Sequence, residues 1–474
     1  MTISQPNGTH GEALSAVAQH ADATFDSTVA RLIDYLSYPA ISCQRENFAD
    51  VRRLAERVRS DAAQIGLDNA RLLELDDALP VVAAEWLHHG PDVPTVLIYG
   101  HLDLQPVELE NWSSAPHEAV VRGERLYARG AADDMGGWLS HLAAIESWLQ
   151  VHGELPCNIR LIVEGEEEIG SPNLERFMDA YPEAFDAHVM VLTDCENPSV
   201  DVPGLTVSLR GLIEVEITCE ALQADVHSGL WGGMVPDPAI ALCKIIASLV
   251  DDDGRLLPGR RPVTDEMLAS TGDVPLDDET IRVGAHLVDG VDPLPTRGLT
   301  RGAWLWRQPC VTILSTTLPP PGREKNAIRK AASALLSVRL APDQTPEQML
   351  SALQGAVSSI PAPAGVQVAV EQVKAFGEGW LYHPKGPAFE AADRAYEASW
   401  GQKLVRIGVG GSIPFVALFG RRFGDLPLIL NGVLDPESTA HGPNESMHMG
   451  VFRKAIAANV HLLAELGALS PAEL

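Results

Sequence analysis

The stretch Thr95-Val-Leu-Ile-Tyr-Gly-His-Leu-Asp103 is the most informative feature of this chain and points to its functional site. Its apolar first half predicts a buried strand that ends at His101. Because side chains alternate between the two faces of a strand, Asp103 shares a face with His101. An imidazole at the end of a buried strand is typical of a metal ligand, and a carboxylate two residues on can accept its second N–H and orient it.

Strands and helices alternate on both sides of this stretch, which predicts a mostly parallel sheet with helices on both faces. In the N-terminal part the predicted strands cover 80–87, 94–100, 157–164 and 187–193, and the predicted helices cover 24–37, 47–65 and 134–151. The alternation of helices and strands resumes near residue 380. Helices are predicted at 386–399 and 449–467, a glycine-rich turn at 408–412 and a strand at 426–433. We therefore expect an α/β fold built on one mostly parallel, mixed sheet.

A segment with a different pattern of predicted strands and helices separates these two parts. It contains alternating apolar and polar residues typical of half-buried strands, two helical patterns, and a region rich in Asp, Gly, Pro and Arg that predicts extended loops with short helices. The strands are predicted at 205–219, 311–317, 332–340 and 366–373, the helices at 237–250 and 345–357, and the loop region at 251–302. The pattern predicts an inserted α+β domain over 205–378, which splits a catalytic domain into 1–204 and 379–474.

The composition predicts an acidic surface and excludes several classes of partner. The chain has 474 residues, 46% hydrophobic content and a net charge of −29. A polyanion repels nucleic acid and anionic lipid, so neither is expected as a partner. No apolar run is long enough for a transmembrane helix, and the N-terminus lacks the apolar core of a secretory signal. Six cysteines without CxxC spacing predict reduced thiols in a cytoplasmic protein.

Side chains that commonly bind metals follow most of the predicted strands. In chain order they are His101, the pair Asp133-Asp134 before a helix, the run Glu166-Glu167-Glu168, Asp194, and His441 beyond the strand at 426–433. Taken singly, each has an ordinary explanation, such as a polar pair, a solvated turn or a helix cap. Because open α/β sheets bind ligands beyond the carboxyl ends of their strands, we expect these groups to converge.

The charges of these residues fit two divalent ions. Asp133, Glu168 and Asp194 carry three negative charges, which two Zn²⁺ and one bridging hydroxide balance. If Asp133 is shared, each ion has one histidine, one private carboxylate, the shared aspartate and the shared water, which is the common four-coordination of zinc. Two metals about 3.5–4 Å apart activate a water in this way in hydrolases. Glu167 is the candidate general base for that water.

Six segments resemble the aminoacylase/carboxypeptidase family of dinuclear zinc peptidases, and its carnosinase-like dipeptidase branch in particular. They are Gly100-His-Leu-Asp103, Arg129-Gly-Ala-Ala-Asp-Asp-Met-Gly136, Glu164-Gly-Glu-Glu-Glu-Ile-Gly-Ser171, Leu192-Thr-Asp194, Asp225-Val-His-Ser-Gly229 and Gly410-Gly-Ser-Ile-Pro414. The resemblance implies a zinc-exopeptidase-like catalytic domain with an inserted lid and dimerisation domain. It also implies that His101 and Asp194 hold one ion and that Glu168 and His441 hold the other. Asp133 would bridge the two ions, and the peptide bond after it would be cis. Asp103 would orient His101, and Glu167 would be the base.

The resemblance also assigns residues away from the predicted metal centre. His227 would act in the active site of the partner subunit of a homodimer and stabilise the oxyanion that forms at the peptide carbonyl. Arg339 and Asn326 would bind the C-terminal carboxylate of a small peptide substrate. Ser412, in the glycine-rich turn, would contact the same carboxylate.

Metal-dependent hydrolysis of the peptide bond of dipeptides or small peptides, through a metal-bridging hydroxide, is the function that the sequence favours. Deacylation of N-acyl amino acids is the alternative, and the long insertion favours the dipeptidase. A non-catalytic metal-binding protein is a third hypothesis, which the retention of Glu167 disfavours because binding alone needs no base. Two departures from the branch, Met135 in place of lysine and Arg329 in place of proline, touch no proposed ligand. We expect Zn²⁺, while Mn²⁺ and Co²⁺ suit the same donors.

Overall fold

The computed structural model describes residues 7–474 except 273, 275, 319–321, 362, 378, 411–413 and 425. The chain forms two compact units. The first unit comprises Met1–Thr206, His383–Ile407 and Leu418–Leu474, and the inserted unit comprises Val207–Tyr382 and Gly408–Ala417. Two of these limits lie near the predicted boundaries at 204/205 and 378/379, whereas the assignment of Gly408–Ala417 to the inserted unit was not predicted.

The N-terminal part of the chain supplies most elements of the first unit. Its helices are α1 (Asn7–Ala23), α2 (Phe25–Leu36), α3 (Phe48–Ile65), α4 (Met135–His152), α5 (Leu174–Ala180) and α6 (Pro182–Phe185). Its strands are β1 (Asp68–Leu73), β2 (Val81–Trp86), β3 (Thr95–His101), β4 (Val120–Arg122), β5 (Arg125–Tyr127), β6 (Asn158–Glu164) and β7 (Val189–Leu192). Every helix and strand predicted here is present within a few residues, while α1, α5, α6, β1, β4 and β5 were not predicted.

The middle of the chain forms short helices and an antiparallel sheet. Its strands are β8 (Gly204–Leu209), β9 (Leu212–Glu220), β10 (Val226–His227), β11 (Cys310–Thr316), β12 (Ala327–Ile328), β13 (Ala331–Arg339), β14 (Gln367–Gly377) and β15 (Trp380–Leu381). Its helices are α7 (Ser228–Trp231), α8 (Pro238–Ser248), α9 (Asp265–Ser270), α10 (Asp278–Gly284), α11 (Arg301–Arg307) and α12 (Pro346–Ser359). The prediction of a single strand over 205–219 was wrong, because the chain breaks at Gly211. A Cβ atom there would lie 2.7 Å from the backbone nitrogen of Gly379, so this close passage requires glycine.

The C-terminal part completes the chain. It contains α13 (Pro387–Trp400), β16 (Val405–Val409), α14 (Pro414–Phe423), β17 (Leu428–Leu430), β18 (Ser446–His448) and α15 (Met449–Gly467). Of these, β16, α14 and β18 were not predicted. No helix in the described ranges is both long and apolar enough to cross a membrane.

The main sheet of the first unit has six strands in the order β1-β2-β6-β3-β7-β17. Strand β3 lies between β6 and β7 and runs parallel to both, and β17 is parallel to β7. The other edge is antiparallel, through β1, β2 and β6. Every residue of β3 is buried, which explains its unbroken apolar sequence. Helix α4 packs on β3 and on α15, and α3 packs on β1 and β2, so the sheet is mixed and flanked by helices, as predicted.

The inserted unit has a four-stranded sheet in the order β11-β13-β9-β14, in which every pairing is antiparallel. Alternate residues of β9 and β13 are buried, and they form a core with α8 and α12. This is the α+β architecture that the alternating pattern predicted. A capping box between Thr345 and Gln348 begins α12, which covers the sheet.

Candidate active site

Five predicted metal ligands meet at the carboxyl edge of the first unit's main sheet. His101 is the last residue of β3, Asp194 follows β7, and Glu168 lies in the turn after β6. Asp133 immediately precedes the N-cap of α4, and His441 lies in the loop between β17 and β18. Because β6, β3 and β7 are parallel neighbours, their ends bring together residues that are far apart in sequence.

Asp133 lies between the two imidazoles. Its Oδ1 is 3.1 Å from Nε2 of His101, and its Oδ2 is 3.0 Å from Nε2 of His441. Nε2 of His101 also faces Oδ2 of Asp194 at 4.0 Å, and Nε2 of His441 faces Oε2 of Glu168 at 3.1 Å. The five residues therefore form two groups of three that share Asp133.

This donor set fits a pair of divalent ions. Two atoms bound to one tetrahedral zinc at about 2.1 Å lie roughly 3.4 Å apart, within about 0.4 Å of three of the four distances above. Each group offers one imidazole nitrogen and two carboxylate oxygens, a combination that suits Zn²⁺, Mn²⁺ or Co²⁺. His101 is 1% exposed, whereas the side chain of His441 is 58% exposed, so His441 is the member that solvent reaches.

The electrostatics of the cluster favour cations. Burial, followed by the charge of Asp133, raises the pKa of Asp194 to about 7 and raises the pKa of Glu168 as well. Burial acts to raise the pKa of Asp133 too, but hydrogen bonds from His101 and His441 outweigh it and lower that pKa. Hydrogen bonds to Asp133 and then to Glu168 raise the pKa of His441 to about 11. The buried carboxylates thus take up positive charge readily, as protons or as metal ions.

Comparison with known proteins shows the family of this chain. The model of peptidase family M20/M25/M40 matches residues 97–465, which include all five side chains. The chain belongs to peptidase family M20/M25/M40. It is 32% identical over 417 residues to a cysteinylglycine-S-conjugate dipeptidase of Corynebacterium striatum, covering 87% of this chain and 90% of that protein.

Two further comparisons link the chain to the branch that the sequence motifs indicated. It is 28% identical over 439 residues to a Beta-Ala-His dipeptidase of Rattus norvegicus, covering 86% of this chain and 87% of that protein. The crystal structure of human carnosine dipeptidase 1 superposes with a TM-score of 0.75 at 24% identity, covering 96% of this chain and 99% of that one. At that level of identity, the structural match shows a shared fold.

Asp103 has a contact that the sequence did not predict. The closest partner of Nδ1 of His101 is the backbone carbonyl of Asp103, at 3.1 Å, while the Asp103 carboxylate lies 3.6 Å away. That carboxylate accepts the backbone N–H groups of Glu167 at 3.1 Å and Glu168 at 3.0 Å. Asp103 therefore faces the imidazole mainly through its carbonyl and holds the turn that carries the candidate base and a candidate ligand.

The Glu167 side chain is available for proton transfer. Within the described residues its carboxylate accepts no hydrogen bond, although its backbone is fixed by Asp103. Burial raises the pKa of Glu167 well above its ordinary value, and the charge of His101 opposes this shift while that of Asp194 reinforces it. A carboxyl group with a raised pKa both accepts and releases a proton near neutral pH.

Asp134 holds the backbone of His101 in place through hydrogen bonds. Its position before a helix did not reveal this role. Its Oδ2 accepts the backbone N–H of His101 at 3.2 Å and the hydroxyl of Thr193 at 2.7 Å. The peptide bond between Asp133 and Asp134 is cis, as the family resemblance implied. A Cβ atom on Gly100 would lie 2.6 Å from both Oδ2 of Asp134 and Oγ1 of Thr193, so glycine is required for this close approach.

A fully buried ion pair, Arg129 with Glu445, connects the segments that carry Asp133 and His441. The Arg129 guanidinium donates to Glu445 at 2.7 Å and to the backbone carbonyl of His441 at 3.0 Å. The Glu445 carboxylate also accepts the backbone N–H groups of Gly130, Ala132 and Asp133 at 3.1–3.2 Å. Sequence reasoning missed Glu445, whose only signal was an acidic residue soon after His441.

A cavity of about 420 Å³ lies beside His441 in the first unit. Its lining consists of polar and apolar side chains, namely Gln105, Pro106, Val107, Glu108, Asn111, Trp112, Arg129, His441 and Pro443. Gln105 donates to Oε2 of Glu168 at 2.8 Å, which joins the cavity to the ligand cluster. Its volume is in the range of small-ligand sites, roughly 300–1,000 Å³.

The residues predicted in the insertion lie in the inserted unit. His227 and Asn326 are exposed neighbours, because β10 pairs with β12 and the N–H of Ser228 donates to the Asn326 carbonyl at 3.1 Å. Nδ1 of His227 accepts the N–H of Gly229 at 3.0 Å, and Nε2 has no hydrogen-bond partner among the described residues. Arg339 is the half-buried last residue of β13. Ser412 lies outside the described residues.

Proposed function

We propose that this protein is a dinuclear metallodipeptidase that hydrolyses the peptide bond of dipeptides. The observation that carries the proposal is the position of Asp133, whose two oxygens each face a different imidazole, with the Glu167 carboxylate unbonded nearby. The relatives described above support the substrate class, since they are a cysteinylglycine-S-conjugate dipeptidase and a Beta-Ala-His dipeptidase.

The residues divide the chemical work between them. His101 with Asp194, and His441 with Glu168, would each hold one ion, and Asp133 would be shared. When bound, the ions supply Lewis-acid activation of a water and of the peptide carbonyl. Glu167 takes the proton of the attacking water and passes it to the departing amine, which its raised pKa favours.

We propose Zn²⁺ as the metal, with Mn²⁺ and Co²⁺ as alternatives that the same donors accept. Elemental analysis of purified protein should find about two ions per chain. Activity of the chelator-treated protein should return on addition of one of these metals. A protein with no bound metal and no activity restored by any of the three would refute the proposal.

The substrate test separates hydrolysis of dipeptides from deacylation of N-acyl amino acids. The relatives do not favour deacylation, which the sequence left open. We expect kcat/KM for cysteinylglycine and for β-alanyl-histidine to exceed that for N-acetyl amino acids by at least about tenfold, or about 1.4 kcal/mol. The opposite order would make the protein a deacylase on the same metal centre.

We propose that Arg339, Asn326 and Ser412 bind the free carboxylate of the substrate. The guanidinium of Arg339 suits this role because a planar guanidinium pairs with a carboxylate through two parallel hydrogen bonds. The exposed position of Asn326 beside His227 supports their joint assignment to substrate binding. The R339M variant should raise KM for dipeptides by about 10- to 100-fold, and an unchanged KM would exclude the assignment.

We propose a homodimer in which His227 stabilises the oxyanion in the active site of the partner subunit. The segment that follows His227 presents large apolar side chains to solvent, with Leu230 in α7 73% exposed and Met234 just beyond α7 81% exposed. The edge strand β11 of the same unit exposes Ile313 and Leu314. Apolar patches of this kind are typical of interfaces, and a second copy of the chain would cover them.

Mixing two inactive variants tests the action of His227 across the dimer. H227A keeps an intact metal centre, and E167Q keeps an intact His227, so a mixed dimer would contain one complete active site. After dissociation and random reassociation, an equimolar mixture should recover about a quarter of wild-type activity. A mixture with no more activity than its two components would show that His227 acts within its own chain or not at all.

We propose that the protein works in the cytoplasm. Its six cysteines are free, which agrees with a reducing compartment. Cell fractionation followed by an activity assay would test the location, and activity confined to an extracellular fraction would exclude it.

A further inference from the structure

A second arginine lies near Arg339 in the inserted unit. Arg210 directly follows β8 and is only 7% exposed. A backbone hydrogen bond connects the residues that follow the two arginines, because the N–H of Leu340 donates to the Gly211 carbonyl at 2.8 Å. Burial, and then the positive charge of Arg210, lowers the pKa of Arg339, so the two guanidinium charges are within electrostatic reach.

The hydrogen-bond partners of Arg210 are neutral, and Arg339 has no counter-charge among the described residues. Arg210 donates to the Gly410 carbonyl at 3.3 Å and to Sγ of Cys310 at 3.2 Å. Across the described ranges, no carboxylate lies within 4.0 Å of either guanidinium, and no hydrogen bond reaches the side chain of Arg339. The buried arginines of the first unit differ, since Arg125 and Arg129 each have a carboxylate partner.

Two neighbouring guanidinium groups without a counter-charge repel each other, and burial increases this repulsion. The arrangement is unusual in a chain with a net charge of −29, where carboxylates are plentiful. An anionic ligand would neutralise the pair and use the hydrogen-bond donors of Arg339. The carboxylate of a peptide is an anion of this kind.

We propose that Arg210 is a second cationic residue of the carboxylate subsite and selects substrates with a free C-terminal carboxylate. This inference rests on the proposed dipeptidase function. Arg210 adds its charge to that of Arg339, which lowers the free energy of a bound carboxylate. Through its hydrogen bond to the Gly410 carbonyl it also positions the backbone directly after β16. Arg210 thus acts as a positioning and specificity-determining residue.

The test compares a dipeptide with its C-terminal amide, for example cysteinylglycine and cysteinylglycine amide. In the R210M variant, kcat/KM for the dipeptide should fall by about 10- to 100-fold, mainly through KM, because one charge-assisted contact is lost. For the amide, kcat/KM should change by less than about threefold, since no carboxylate is present. R282M is the matched control, because Arg282 is an arginine of the same unit that pairs with Asp292, and it should leave both values unchanged.

Each outcome decides the inference. An equal fall in kcat/KM for both substrates would show that Arg210 has a structural role. An unchanged kcat/KM for both would show that Arg210 does not contribute to the carboxylate subsite. If R210M does not fold, R210K replaces it, and a drop of about three- to tenfold confined to the carboxylate substrate is expected. A wild type that hydrolyses no dipeptide would refute the proposed function itself, and the inference with it. That result is distinct from an active wild type whose kcat/KM is unchanged in the R210M variant.

Discussion

Replacing Glu445 by glutamine should weaken metal binding without touching a proposed ligand. The substitution keeps the shape of the side chain but removes the charge opposite Arg129, a pair that is 0–2% exposed. The amide has only one acceptor oxygen, so its NH2 group must face either Arg129 or the N–H groups of Gly130, Ala132 and Asp133, which the carboxylate accepts. The Arg129–Glu445 pair, which bonds both the N–H of Asp133 and the carbonyl of His441, would then no longer hold these two segments together.

The expected cost can be worked from these contacts. Removing one partner of a buried ion pair costs about 3–5 kcal/mol of the free energy of unfolding. Loss of a residue that orients metal ligands lowers metal affinity by about 10- to 100-fold. Denaturant unfolding of the metal-free E445Q variant measures the first quantity, and titration with Zn²⁺ in a chelator-buffered solution measures the second.

The D435N variant is the matched control. Asp435 forms another buried pair, with Arg125 at 2.8 Å, but it accepts no hydrogen bond from the segment 130–133. D435N should therefore lose stability while metal affinity changes little. Equal losses of metal affinity in both variants, or unchanged affinity in E445Q, would refute the reasoning and leave Glu445 a purely structural role.

Three further predictions concern other parts of the site. E167Q should lower kcat by about 10²- to 10⁴-fold while metal content stays near that of the wild type, and a variant with substantial kcat would exclude Glu167 as the base. G100A should destabilise the protein by about 1–3 kcal/mol in denaturant unfolding, because its Cβ would lie 2.6 Å from two polar atoms, whereas G90A, with no atom within 4 Å, should be neutral. Burial raises the pKa of Glu164 to about 8, so wild-type stability should fall as pH rises from about 4.5 to about 8, where the unfolded state has already released this proton. E164Q should remove that part of the pH dependence, on the order of several kcal/mol, and parallel pH profiles of the two metal-free proteins would contradict the assignment.

The central strands and the order of the ligands were predictable because they are local features of the sequence. Strand β3 is buried along its whole length, so its apolar run and the His101 at its end are visible without a structure. The edge strand β1 was missed because most of its residues are exposed or half-buried, and no apolar run marks it. Helix α1 was missed for the same reason, since Val17 and Ala21 are its only residues among the buried core positions of the described range.

The supporting residues were not predictable, because their roles depend on partners distant in the chain. Glu445 acts on a segment more than 300 residues earlier, and nothing beside it in the sequence indicates that contact. The carboxylate of Asp103 contacts the turn after β6 more closely than it does the adjacent imidazole, which its spacing alone would not suggest. Arg210 lies at a break that the alternating pattern of 205–219 concealed.

The pairing of β17 with β7 has a consequence for how this protein is made. The ribosome completes Asp194 long before it reaches His441, and at about 5–20 residues per second the interval is roughly 10–50 s. During that time the nascent chain carries four of the five proposed ligands, and the edge of β7 that later pairs with β17 has no partner strand. Closing so long a loop costs little more entropy than closing a shorter one, but it is slow. The group of Asp133, Glu168 and His441 is therefore complete only after synthesis of the C-terminal segment has ended, so filling both groups would require metal that is available after translation.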